Sequence, residues 1–187
     1  MPASEPVDDP LGRFRAGDPA AFDELVTLYA GRLVRFFFRL GASQAVAEEL
    51  AQDVFVKLYR GAASYEPRGR FDPFLFRVAR NAWLDHLRSR ESEARARSFD
   101  AGEAAEGAPD IGPDPSERAR DREEAEGVRK AVSALPEGER LVVELGVFQG
   151  LRYVEIASIL KIPVGTVKSR VFSAVRRLRG QLGGLGT

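Results

Sequence analysis

The sequence predicts an all-α chain: two small helical domains joined by a flexible acidic linker, the second ending in a helix-turn-helix. Three observations carry this expectation. Apolar residues recur at helical spacing up to about residue 90 and again from Val128 onward. Between these stretches, residues 91–116 are dominated by Ala, Gly, Glu, Asp and Pro, with Phe99 and Ile111 as the bulky apolar residues. Finally, LRYVEIASILKIPVGTVKSRVFSAVRRLR at 151–179 reads as two short helices and a tight turn, the second helix polar and basic on one face.

Taken in order, Asp18-Pro19 caps and opens a first helix, since Asp accepts from free amides and Pro is tolerated at the first helical position. Phe22, Leu25, Val26, Tyr29, Leu33, Phe36 and Phe37 form its apolar stripe, and Gly41 ends it. Ser43 is the expected cap of a second helix with Val46, Leu50, Val54, Phe55 and Leu58 as its stripe. A break spans Ala62 to Gly69. Asp72-Pro73 repeats the opening signal for a third helix through Phe74, Leu75, Val78, Ala79, Ala82, Trp83 and Leu87. These helices bury one another in a domain of residues 15–90. The N-terminal tail offers no further folded module. The linker at 91–116 leaves room for a short helix in 91–97. A second domain over 117–182 holds a charged helix ending before Pro136, a helix from Glu137 to Phe148, and the helix-turn-helix. Its expected core is Ile156, Ala157, Leu160, Ile162, Val164, Val167, Val171, Val175 and Leu178.

Composition excludes several classes. No apolar run approaches the roughly 20 residues that cross a bilayer, and the opening residues do not read as a signal peptide. With no cysteine and one histidine, His86, disulfides, thiolate sites and a histidine-rich metal centre are excluded, and no cofactor is expected. A cysteine-free chain suits a reducing cytoplasm. Asp23 and Glu24, Glu48 and Glu49, and Asp53 read as solvated helix faces, and His86 beside Asp85 as local helix chemistry. No acid-base, nucleophilic or metal constellation supports an enzyme.

Charge is informative only locally. Lys plus Arg and Asp plus Glu both number 28, so the net charge is zero. After Glu155, however, every ionisable side chain is basic: Lys161, Lys168, Arg170, Arg176, Arg177 and Arg179. Thr166, Ser169, Arg170, Ser173 and Arg177 share one face of the second helix by spacing, with Lys168 and Arg176 at its edges. The central residues suit base reading and the edge cations suit phosphate. This makes duplex DNA the leading partner.

The blocks AEELAQDVFVKLYR and FDPFLFRVARNAWLDHLRSR, followed by ALPEGERLVVELGVFQGLRYVEIASILKIPVGTVKSRVFSAVRRLR, closely resemble bacterial sigma factors of the extracytoplasmic-function group of the sigma-seventy family. Their order and joint presence are more specific than a helix-turn-helix alone. The resemblance implies that the first domain docks on core RNA polymerase and engages the minus-ten element. The second reads the minus-thirty-five element. The chain then supplies promoter choice and supports strand opening, while the chemistry belongs to the polymerase. It implies Glu49, Gln52, Asp53, Phe55 and Lys57 as polymerase contacts. It assigns Tyr65 and Arg68 to a loop that captures a flipped base, and Arg77, Arg80, Asn81, Trp83 and Arg88 to the strand-opening helix, with Phe71, Phe74 and Asp85 in the same block. Thr166, Lys168, Ser169, Arg170, Ser173, Arg176 and Arg177 are its minus-thirty-five residues. An anti-sigma protein is an expected partner, and direct membrane insertion is not. Lys161 stands where the family often has glycine. The competing expectation is a helix-turn-helix regulator that acts without joining the polymerase core.

Overall fold

The computed structural model describes residues 9–67, 69–97, 127 and 130–182. Most of the expected linker, and Arg68, lie outside the described residues. The described elements are all helical, and contacts divide the chain into two units.

The first unit contains α1 (Pro10–Arg15), α2 (Ala20–Leu40) up to Phe37, α3 (Gln44–Gly61), a short 3₁₀ turn (Ala62–Ser64) and α4 (Phe71–Arg97). The expected stripes supply most of its core, but Phe74 and Val78 are only half-buried, and Phe76, which the spacing did not single out, is fully buried. Leu25, Leu33, Phe36 and Phe37 of α2 are fully buried, as are Val54 of α3 and Leu75, Phe76 and Ala79 of α4. Asp18 Oδ1 accepts from the Ala20 amide at 3.1 Å, the expected opening of α2. The opening of α4 differs. The helix starts at Phe71, and Asp72 lies inside its first turn, where its carboxylate takes Arg32 Nη1 at 3.1 Å and Arg70 Nη2 at 3.2 Å. The helix also runs on through residues 91–97, so this part of the expected linker continues α4.

Helix α1 is an element the periodicity of the longer segments did not announce. Asp9 caps it, its Oδ1 accepting from the Gly12 amide at 3.0 Å, and Pro10 occupies the first helical position. Leu11 is fully buried. Phe14 meets Phe22 of α2 and Tyr59 of α3 with ring centroids 5.1 and 5.4 Å away. A six-residue helix is not stable alone, so this packing holds it.

The second unit contains Phe38–Ser43, helical residues 130–133, α5 (Glu137–Val143), a π turn (Glu144–Phe148), α6 (Tyr153–Leu160) and α7 (Val164–Leu182). Val132, Leu135, Val143 and Ala174 pack together, with Leu178 against them. The expected helix from Glu137 to Phe148 divides. Its regular part ends at Val143, and the Gln149 amide then bonds back to the Glu144 carbonyl at 3.1 Å, a wider turn. Two contacts define that turn. Gly146 leaves room for Ile156, whose Cδ1 would lie 3.3 Å from a β-carbon there. Glu144 is fully buried, and its carboxylate takes Arg39 Nε and Nη2 at 2.7 and 2.8 Å and Gln149 Nε2 at 2.9 Å. Burial pushes the Glu144 carboxyl up, against the opposing pull of Arg39.

The tight turn of the helix-turn-helix lies at Lys161. This residue adopts the left-handed conformation, with φ 55° and ψ 46°, and closes α6 by donating its backbone N–H to the Ala157 carbonyl. At the other end of α6 the Glu155 carboxylate accepts from the Arg152 amide at 2.8 Å. The Pro163 carbonyl opens α7 by accepting from Thr166 and Val167 at 2.9 and 3.2 Å. Ile156, Ala157, Leu160 and Val167 are buried as expected, but Val175 is 36% exposed and Ala174 takes its place in the core.

Candidate nucleic-acid interface

Helix α3 turns Glu49, Gln52, Asp53 and Lys57 to solvent, and leaves Phe55 half-buried. Lys57 Nζ lies 3.8 Å from Asp85 Oδ2 of α4. The same exposed face carries Val56 and Tyr59, 44% and 58% exposed, which the sequence reading left unassigned. Apolar side chains set among charges form a surface suited to protein contact.

The chain leaving α3 turns back over the start of α4. Tyr65 is buried there, its ring 4.6 Å from Phe74 and 6.2 Å from Phe71. Its hydroxyl donates to Asp9 Oδ2 at 2.9 Å. Burial first, and then Asp9, raise the phenol well above its ordinary range, so it stays a neutral donor. A cleft beside it is lined by Tyr65, Glu66, Arg70, Pro73, Phe74 and Arg77. The Arg77 guanidinium lies 5.6 Å from the Phe74 ring centroid.

Farther along α4, Arg77, Asn81 and Arg88 are exposed and Arg80 is half-buried. Arg80 Nη1 donates to Asn81 Oδ1 at 3.3 Å, and Arg88 Nη1 donates to Asp85 Oδ1 at 2.9 Å. Trp83 is buried against Phe37, with centroids 6.5 Å apart. His86 stacks on Trp83 at 5.7 Å. Burial, then Arg90, lower its pKa, while Glu49 and Glu93 pull the other way. The sequence-adjacent Asp85 instead faces Lys57 and Arg88.

On α7 the expected residues divide between two faces. Lys168, Ser169 and Arg176 point outward, and Thr166 is half-exposed beside the helix start. Ser169 Oγ donates to the Thr166 carbonyl at 3.0 Å. Arg170, Ser173 and Arg177 instead meet the first turn of α5. The Arg170 guanidinium occupies the space over Gly138, where a β-carbon would lie 2.9 Å from Nη1. Ser173 Oγ donates to Glu139 Oε1 at 2.8 Å, and Arg177 Nε lies 3.1 Å from Glu139 Oε2. The centre of the outward face is Phe172, 73% exposed, with Lys168, Ser169 and Arg176 around it. A fully apolar ring at the middle of a basic helix face was the available sequence signal for that residue.

Two helical units, one ending in a helix-turn-helix with a basic outer face, form the layout of a DNA-binding protein. Residues 25–93 match the family model for sigma-70 region 2, and residues 125–178 that for sigma-70 region 4. The ECF RNA polymerase sigma factor SigE of Mycolicibacterium smegmatis is 35% identical, covering 95% of this chain and 70% of its own length. The RNA polymerase sigma-H factor of Pseudomonas aeruginosa is 34% identical over 87% of this chain and 86% of its own. Among solved structures, RpoE of Bartonella quintana, in complex with the anti-sigma factor NepR, superposes with a TM-score of 0.68 at 25% identity, covering 87% of this chain and 96% of its own. CnrH, in complex with the cytosolic domain of CnrY, shares the fold with a TM-score of 0.69 at 22% identity, over 94% and 96% of the two chains. The chain belongs to the extracytoplasmic-function sigma factors of the sigma-70 family. It is a non-catalytic subunit that directs promoter recognition by RNA polymerase. Among the described residues no helix is long and apolar enough to cross a membrane.

Proposed function

We propose a division of labour among three surfaces, within modules of residues 15–90 and 117–182. The outward face of α3, with Glu49, Gln52, Asp53, Val56, Lys57 and Tyr59, docks on core polymerase. Phe55 supports it from below. The cleft and α4 hold the melted minus-ten strand. Arg77, Arg80 and Arg88 follow phosphates there, and Asn81 bonds an exposed base. Phe74 supplies the ring face at the cleft, Tyr65, with its hydroxyl engaged by Asp9, lines its wall, and Trp83 supports α4 from the core beside Phe37. Arg68 belongs to the same loop by sequence.

The outward face of α7 reads the minus-thirty-five duplex. Lys168 and Arg176 meet phosphate or base edges, Ser169 and Thr166 bond backbone oxygens at the helix start, and Phe172 packs on a thymine methyl. The observation that carries this reading is the outward face itself: an exposed aromatic ring amid cations, on a segment with no carboxylate after Glu155. Arg170, Ser173 and Arg177 serve from the flank, through α5.

RpoE of Bartonella quintana was solved with an anti-sigma factor. The same kind of partner, covering the exposed α3 and α7 faces, is proposed for this chain, which acts in the cytoplasm where polymerase and DNA are. Reconstitution with core RNA polymerase on a promoter library, with the transcripts sequenced, tests the reading. One enriched pair of elements spaced upstream of the start sites is the expected result. Duplex binding without holoenzyme formation would favour a free helix-turn-helix regulator instead.

A further inference from the structure

Glu139 is a carboxylate placed against the basic helix of a DNA-binding unit. Its side chain is 13% exposed, and its two oxygens face two residues of α7: Oε1 takes the Ser173 hydroxyl, and Oε2 meets Arg177 Nε as an ion pair at 3.1 Å without hydrogen-bond geometry. Next to it, Gly138 leaves the space that the Arg170 guanidinium fills. One turn of α5 therefore engages three polar side chains from the same side of α7.

Two consequences follow from elementary electrostatics. A guanidinium already paired with a carboxylate releases little additional counterion from a phosphate, so it adds little sequence-independent affinity. A helix gripped on one flank also has a fixed rotation about its axis. That rotation decides which side chains enter a groove, here Lys168, Ser169, Phe172 and Arg176.

We propose that Glu139 is a specificity-determining positioning residue: it withholds Arg177 and Ser173 from DNA and fixes the roll of α7 toward the minus-thirty-five duplex. The inference rests on the reading of α7 as the minus-thirty-five helix. Specificity gains because the base-reading face is held in register; the withheld phosphate contact would raise affinity and salt dependence for every sequence by the same factor.

The test uses the full chain assembled with core polymerase, titrated onto duplexes that differ only in the upstream element, at several salt concentrations. Glu139→Gln keeps the shape and a partner for Ser173 but releases the charge of Arg177, whose side chain is 56% exposed. The released Arg177 should tighten binding to matched and mismatched duplexes by the same factor at low salt, and the freed roll of α7 should separately narrow the ratio between them. One added phosphate contact steepens the salt dependence by a slope of about 0.9, so the gain should shrink roughly three- to fourfold between 50 and 200 mM salt. Adding Arg177→Ala to Glu139→Gln should return the slope to that of the parent, which a merely structural role for Glu139 would not do.

An unchanged slope and ratio in Glu139→Gln overturns the proposal, provided Lys168→Ala and Phe172→Ala still weaken binding. If Lys168→Ala and Phe172→Ala are also silent, the reading of α7 falls and the role of Glu139 falls with it. A steeper slope that survives Arg177→Ala likewise overturns the assignment, since the added contact then comes from another group.

Discussion

His86 gives the first unit a pH dependence whose sign is fixed by its surroundings. Burial against Trp83 and the Arg90 charge hold it below its ordinary value of 6.5, so the unfolded chain takes up the proton first. The associated stability is fully present above that ordinary value and is lost as pH falls through it toward the lower folded value. Urea midpoints at pH 7.5 and 5.5 should therefore separate more in the parent than in His86→Gln. An equal separation would assign the acid sensitivity to carboxylates. Lys161 carries a different kind of cost. A side chain at φ 55° is disfavoured where glycine is not, so Lys161→Gly should raise stability by about 1 kcal/mol, read by thermal melting. The sequence marked this position as one where relatives often have glycine. It could not say whether the chain had changed its turn or kept the turn under strain, and the left-handed backbone shows that the turn is kept.

At the scale of elements, the stripes of α2, α3 and α4 were legible because a helix with one buried face repeats its apolar residues every three or four positions. Helix α1 was not, since six residues are too few to show a period and its hold comes from Asp9, Leu11 and Phe14 meeting side chains distant in sequence. Leu11→Ala should accordingly cost about 2–5 kcal/mol, measured by urea unfolding, with the low end expected if α1 detaches without the rest of the unit. The roll of α7 was legible only in part. Spacing places Thr166, Ser169, Arg170, Ser173 and Arg177 on one face, but it cannot say which partner that face meets. The apolar arc of Val167, Val171, Val175 and Leu178 was equally compatible with a slightly different rotation. In the fold, Gly138 and Glu139 on α5 meet Arg170, Ser173 and Arg177, while Ala174 lies in the core and Phe172 outside. A similar limit held for Tyr65, in the segment before α4, and Trp83 on α4: the resemblance placed both at the minus-ten strand, and the fold buries both.

For the whole molecule, the expected consequence of separate surfaces is that lesions in them fail in different ways. Asp53 is exposed on α3, and its truncation leaves the unit's core untouched. If its carboxylate becomes desolvated against polymerase, Asp53→Ala should weaken core binding by about 2–5 kcal/mol, and by much less if it lies at the rim. Free Asp53→Ala should keep the helical content of the parent by circular dichroism. Once saturating protein restores the holoenzyme, its preference among promoters should match that of the parent. Phe172→Ala should behave in the opposite way. The ring is 73% exposed, so its loss leaves no cavity and the free chain should melt as the parent does. Core polymerase binding should hold, while discrimination at the base pair that meets the ring falls by about 1–3 kcal/mol. Polymerase titration beside competition among promoter variants separates the two patterns. Loss of core binding in Phe172→Ala, or relaxed promoter choice in a saturated Asp53→Ala holoenzyme, would mean that the surfaces are coupled and that neither residue belongs to one partner alone.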